Sequence, residues 1–161
     1  LVIAGITMVV GVAGALAQDD MKRILSFHIV SQIGYMLMGL GLFNVVGVAG
    51  AVIFIVHQIP VKTVLFLAGA MVESDRGTSA LGRVGGLIGS RPWLALLFAL
   101  PALSLAGLPP FSGFVAKLSL VDAGVADSSV AIVVIALFAS ALTLLSMSKI
   151  CPRSLQNSMR F

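Results

Sequence analysis

Charge is what this sequence has least of. Only 10% of its 161 residues are Asp, Glu, Lys or Arg, against ~25% in an ordinary soluble domain. Hydrophobic residues make up 59% and the mean hydropathy is +1.13, which excludes a water-soluble globular domain and makes the chain an integral membrane protein. Cysteine is nearly absent: Cys151 stands alone, so no intrachain disulfide can form. Histidine is limited to His28 and His57, in different apolar segments, and with one cysteine these make no recognisable metal site. Residues 82–89 are rich in glycine but lack GxGxxG spacing and a preceding strand, which excludes a nucleotide fingerprint. No nucleophile, base and orienting acid are grouped, so nothing here amounts to a self-sufficient enzyme, and no cofactor is expected. The start at Leu1 has no methionine, no basic n-region and no small-residue cleavage site. It reads as the inside of a longer polypeptide rather than as a secretory signal.

What is present is a set of apolar runs, at about 1–17, 24–43, 48–72, 93–121 and 130–150. Crossing a bilayer takes ~20 helical residues, so the expected fold is all-α with five transmembrane helices. The fourth run would measure about 43 Å as one continuous helix, longer than a ~30 Å hydrocarbon core. It also holds Pro101 and the string Gly107-Leu108-Pro109-Pro110-Phe111-Ser112-Gly113. Two adjacent prolines flanked by glycines remove backbone donors and break the helix, so the break is placed at Pro109 and Pro110. Freed backbone groups at membrane depth are tolerated only where they face protein or a wet cavity.

Eight basic residues lie outside the runs' interiors: Lys22, Arg23, Arg76, Arg83, Arg91, Lys149, Arg153 and Arg160. With five spans all eight fall on one side. The loop around Asn44 has no charge, and the one near Asp122 and Asp127 has only acids. Splitting the fourth run into two spans would put the C-terminal basic residues on the opposite face. The positive-inside rule therefore favours one broken span, with the N-terminal end outside and the basic loops and tail cytoplasmic, in the inner (plasma) membrane of the cell. This also accounts for a pI near 9.9 without nucleic acid as a partner.

The remaining two cations, Lys62 and Lys117, sit inside apolar runs. No carboxylate lies within ten residues of Lys62 or within four of Lys117. A lysine at the centre of a membrane helix costs ~2.5–3.5 kcal/mol, which marks both as candidates for moving protons or ions. Gln58 and Lys62 share a helix face, whereas His57 lies about 140° from Lys62 in an ideal helix; Pro60 between them is expected to kink or loosen the helix and bring them closer. For Lys62 the alternative is snorkelling, or pairing with a carboxylate elsewhere in the polypeptide. For Lys117, one to two turns after the break, the alternative is a proline kink needed only for packing, with the amine reaching the outer interface. In the second run His28, Gln32 and Tyr35, with Ser31 alongside, form a polar stripe. That stripe either holds water or binds a neighbouring helix, and His28 is near enough to the basic loop to sit at the interface.

Four segments in this order carry a family resemblance: Gln18-Asp19-Asp20-Met21-Lys22-Arg23-Ile24-Leu25-Ser26; Ser31-Gln32-Ile33-Gly34-Tyr35-Met36; His57 with Lys62; and the 107–114 string with Lys117. Over about 1–150 the chain resembles the antiporter-like subunits shared by Mrp cation/proton antiporters and respiratory complex I, most closely the D-type Mrp subunits. Such subunits are built from two inverted five-helix repeats, each with a broken helix, and this chain is similar to the second. The resemblance implies that Lys62 is the central-axis relay lysine, Lys117 the broken-helix lysine, and His57 a relay between neighbouring sites. It implies proton transfer along a hydrated row of lysines and histidines, coupled to Na+ or K+ extrusion and shared with other subunits of a membrane complex. Residues 151–161 depart from the helical, aromatic continuation of the family. A complex I-type or hydrogenase subunit with the same relay, a purely structural helical scaffold, and a redox enzyme are the competing readings.

Overall fold

The computed structural model describes residues 1–77, 92–109 and 111–156, which form six helices: α1 (Val2–Ala17), α2 (Met21–Gly41), α3 (Val45–Arg76), α4 (Pro92–Ala106), α5 (Ser112–Ala126) and α6 (Val130–Gln156). The glycine-rich run 82–89, Arg83, Arg91, Pro110 and Arg160 lie outside the described residues.

The ends of these helices follow from local chemistry. Asp20 starts α2, its carboxylate accepting the backbone N–H groups of Lys22 at 3.0 Å and Arg23 at 3.1 Å. These are donors that an α-helix cannot satisfy within itself. Asn44 does the same for α3, accepting the Gly47 N–H at 2.6 Å, and Gly77 closes that helix in the left-handed region at φ +68°. Pro92 opens α4, where a missing N–H costs nothing. The third and last helices overrun their expected limits: α3 continues through Pro60 to Arg76, and α6 continues through Pro152 to Gln156.

The fold is all-helical and of membrane type. Three of the described helices are long and apolar enough to cross a bilayer: α2, α3 and α6. Two more, α1 and α4, are apolar but shorter. At 15 residues each, α4 and α5 reach about 22 Å apiece, short of a ~30 Å hydrocarbon core.

Packing divides the bundle into two apolar cores. One joins the turn between α1 and α2 to the second half of α3, to α4 and to Met147 of α6, through Ile24, Leu25, Leu65, Val72, Leu94 and Leu105. The other joins the first halves of α1, α3 and α6 to the end of α2 and to α5, through Met8, Tyr35, Met38, Phe54, Leu120 and Ile132. Helices α4 and α5 thus contribute to different cores, at opposite ends of the bundle. Across the first end Lys22 of α2 forms an ion pair with Glu73 of α3.

Removing the α2 cap tests this account of the fold. Asp20→Ala is expected to destabilise the full-length protein by ~1 kcal/mol, read as a lowered thermal unfolding midpoint in detergent. An unchanged midpoint would show that the cap contributes nothing.

Candidate functional site

Between the two apolar cores every described helix except α1 turns polar. His28, Ser31 and Gln32 of α2, His57 and Gln58 of α3, Ser104 of α4, Lys117 of α5, and Thr143 and Ser146 of α6 are all buried there. Lys62 is half-buried beside them.

The break between α4 and α5 sets the geometry of Lys117. α4 ends in a Schellman turn: the Gly107 N–H donates to Ser104 at 3.1 Å and the Leu108 N–H to Leu103 at 3.3 Å, with Gly107 at φ +81°. That turn satisfies the carbonyls of Leu103 and Ser104 but not those of the last two helical residues. Lys117 supplies what they lack. Its Nζ donates to the Leu105 and Ala106 carbonyl oxygens at 3.2 Å each and to Ser140 Oγ at 3.1 Å, and it lies 5.7 Å from the centre of the Tyr35 ring. The ammonium therefore sits at the negative end of the α4 dipole and over an aromatic face, two arrangements that favour a cation. The residue is only 8% exposed, so its amine is enclosed by protein. Close approach of the two half-helices depends on Gly113, where a Cβ would run into the Ser104 carbonyl oxygen.

His57 belongs to the same junction. Its Nδ1 lies 2.9 Å from Ser112 Oγ, on the first residue of α5. Lys62 faces elsewhere: its Nζ is 3.5 Å from the carbonyl oxygen of Leu25 in α2. Helix α3 runs on through Pro60, so the expected approach of His57 to Lys62 is replaced by two separate partnerships on different faces. Lys62, Gln32 and Gln58 line a groove of about 230 Å³ between α2 and α3, walled by isoleucines. Among the described residues, neither Lys62 nor Lys117 has a carboxylate within ion-pair distance.

The α2 stripe divides by function. Ser31 donates to the Met8 carbonyl at 2.9 Å and Tyr35 to the Ala136 carbonyl at 2.6 Å, with the Tyr35 ring stacked on Phe54; these two hold helices together. His28 is fully buried against Ser146 Oγ at 3.0 Å. Its Nδ1, both amide atoms of Gln32, His57 Nε2 and Gln58 Oε1 are buried without a protein partner among the described residues. Such atoms are ordinarily met by water or by another chain. Sequence reading misses Ser140 and Ser146; the signal is a polar row at three-residue spacing, Ser140, Thr143 and Ser146, inside an otherwise aliphatic helix. Pro109 lies in the break, whereas Pro110 falls outside the described residues. No cluster of three metal-ligating side chains occurs among the described residues.

Comparison with known proteins identifies the family and the fold. The family described as NADH:quinone oxidoreductase/Mrp antiporter, TM, matches residues 1–143. The chain is 48% identical over 150 residues to a protein named as the D-type subunit of a Na(+)/H(+) antiporter in Alkalihalophilus pseudofirmus, covering 93% of this chain and 30% of that relative. It is 33% identical over 148 residues to the protein of the same name in Bacillus subtilis, again covering 30% of the relative. Among solved structures it is similar to a chain of the Mrp complex from Dietzia, with 44% identity and a TM-score of 0.89 over 94% of this chain and 28% of that one. Respiratory complex I from Thermus thermophilus shares the fold, with a TM-score of 0.88 at 23% identity. The chain spans about 30% of the length of the curated relatives it matches.

The junction itself can be tested. Gly113→Val forces α5 off the last turn of α4 and is expected to cost ~1–3 kcal/mol, read as a lowered unfolding midpoint. A midpoint equal to that of the native protein would mean that the half-helices do not meet at Ser104.

Proposed function

This chain belongs to the NADH:quinone oxidoreductase/Mrp antiporter transmembrane family, and on that premise we propose that it is the second repeat of a proton-translocating subunit in a multisubunit Na+ or K+/proton antiporter. The carrying observation is that two amines, Lys62 and Lys117, stand in a polar layer between two apolar cores, their hydrogen-bond acceptors among the described residues being hydroxyl and carbonyl oxygens. A buried amine locked to a carboxylate would be a fixed ion pair. One held by neutral dipoles can give up its proton and take another without stranding a counter-charge.

In this reading protons pass among Lys62, His57 and Lys117. Ser112 links His57 to the head of α5, and Ser140 receives a hydrogen bond from Lys117. Gln32, Gln58 and His28 keep polar atoms near the path that have no partner among the described residues, atoms of the kind that ordered water ordinarily meets. Ser31 and Tyr35 act by fixing α2 against its neighbours. α4 and α5 together form one broken span, which makes five spans in all. That count puts the basic loops and the tail on the cytoplasmic side of the plasma membrane. The cation is exchanged by the assembled complex, to which the other subunits belong. Identity favours the antiporter over a complex I-type subunit: 44% to the Mrp chain against 23% to the complex I chain.

Antiport in everted vesicles carrying the whole complex, without a quinone reductase, tests the proposal. Lys62→Ala and Lys117→Ala should each reduce cation-dependent proton movement by ~100-fold, the lower end of what loss of a proton-transfer group costs. Native rates in both variants would leave only a helical scaffold. Absence of antiport in the native complex unless a redox partner is added would favour the complex I-type reading.

A further inference from the structure

We propose that protons pass between Lys62 and Lys117 along α2 and α6, through His28, Ser146, Thr143 and Ser140, and that His57 serves only the Lys117 end. This rests on the proton-translocating function proposed above and gives that relay its order.

Each lysine stands with a different histidine. Lys62 Nζ is 3.5 Å from the Leu25 carbonyl oxygen, and a helix carbonyl points toward the residue four positions on. The amine is therefore directed at the turn of α2 that carries His28. His57 is held at the head of α5, its Nδ1 2.9 Å from Ser112 Oγ, on the half-helix that carries Lys117. Among the cations, Lys62 acts most strongly on His28 and Lys117 on His57. A path from Lys62 to the other amine thus begins at His28.

The links that follow are on α6. His28 is fully buried with its Nε2 3.0 Å from Ser146 Oγ, while its Nδ1 has no partner among the described residues. One ring nitrogen is engaged and the other open, the arrangement in which an imidazole takes a proton on one side and releases one from the other. Ser146, Thr143 and Ser140 follow at three-residue spacing, which puts neighbouring Cβ atoms ~5–6 Å apart on a helix and spans about 9 Å of α6. At the far end Ser140 Oγ receives Lys117 Nζ at 3.1 Å. Thr143 in the middle donates to the Ala139 carbonyl at 2.8 Å; its lone pairs stay open, and threonine divides between two rotamers in a helix. Thr143 and Ser146 are buried, so bulk water does not intercept a proton there.

The transfer balances in atoms and charge. With Lys62 protonated and Lys117 neutral, the flexible four-carbon stem of Lys62 carries its amine along α2 to the ring. One N–H bond of the ammonium breaks, its electron pair stays on nitrogen, and the proton bonds to His28 Nδ1. The ring releases its Nε2 proton to Ser146 as the Ser146 proton passes to Thr143, the Thr143 proton to Ser140 and the Ser140 proton to the Lys117 nitrogen. Every oxygen gains one proton and loses one, so a single charge moves and no hydroxyl is left ionised. Rotation of the hydroxyls and exchange of the ring proton through water reset the row.

Turnover of cation-dependent proton movement, measured in everted vesicles carrying the whole complex, tests the route. Thr143→Val keeps the branched shape and removes only a hydroxyl; it should lower kcat by ~100-fold, as should His28→Gln, with the Na+ concentration for half-maximal rate unchanged. Thr143→Ser, which keeps the hydroxyl, should retain most of the native rate. Native turnover in Thr143→Val or in His28→Gln overturns the route, and so does a rate in Thr143→Ser as low as in Thr143→Val, which would mark a packing role. Antiport lost in Lys62→Ala and Lys117→Ala but intact in Thr143→Val and His28→Gln removes the route and keeps the antiporter reading. If the native complex moves protons only with a redox partner, the antiporter reading fails, and the same variants decide the route in that redox-driven assay.

Discussion

A charged amine surrounded by aliphatic side chains must find oxygen, and here the backbone supplies it. An uninterrupted helix through residues 93–121 would have consumed every carbonyl internally and left Lys117 facing methyl groups. Interruption after Ala106 frees two carbonyls, and the Schellman turn at Gly107 leaves those two, and not their neighbours, aimed at the amine. The proline and glycine residues that look like helix damage in the sequence are thus the condition under which the lysine can be buried. Gly113 completes the arrangement by letting the head of α5 come within reach of Ser104.

The two apolar cores follow from the same requirement. Each end of the bundle is sealed largely by leucine, isoleucine, methionine and alanine, and the buried polar side chains among the described residues gather between them. Confinement raises the strength of every electrostatic contact in that layer, because little water screens it. It also limits where polar atoms can turn, which is why Ser31 and Tyr35 are fully engaged with neighbouring helices. The groove at Gln32, Gln58 and Lys62 is the place where the layer opens sideways.

Much of this is legible from residue order alone. The long helices, the break and the burial of Lys117 can be read because each depends on local rules: run length, adjacent prolines, and the cost of a mid-span charge. The caps at Asp20 and Asn44 are equally local. What cannot be read is which side chains meet across helices. His57 and Lys62 sit five positions apart, and their partners, Ser112 and Leu25, lie on two different helices whose placement no periodicity reveals. Ser140 and Ser146 escape notice for a related reason: a serine in an aliphatic helix is usually bonded to its own backbone. Only the opposing Lys117 and His28 give these two another role. The stripe on α2 is visible as a stripe, yet its division into fasteners and unpartnered groups depends on α1 and α6.

Lys117 is rooted in α5, but its grip extends to the end of α4 and to the middle of α6. Hydrogen bonds from an ionised donor are roughly twice as strong as neutral ones, so the same amine fastens three segments firmly when protonated and loosely when not. Three segments that sequence order keeps apart thus share a single point of attachment, and the gap between α4 and α5 is closed by a side chain rather than by backbone.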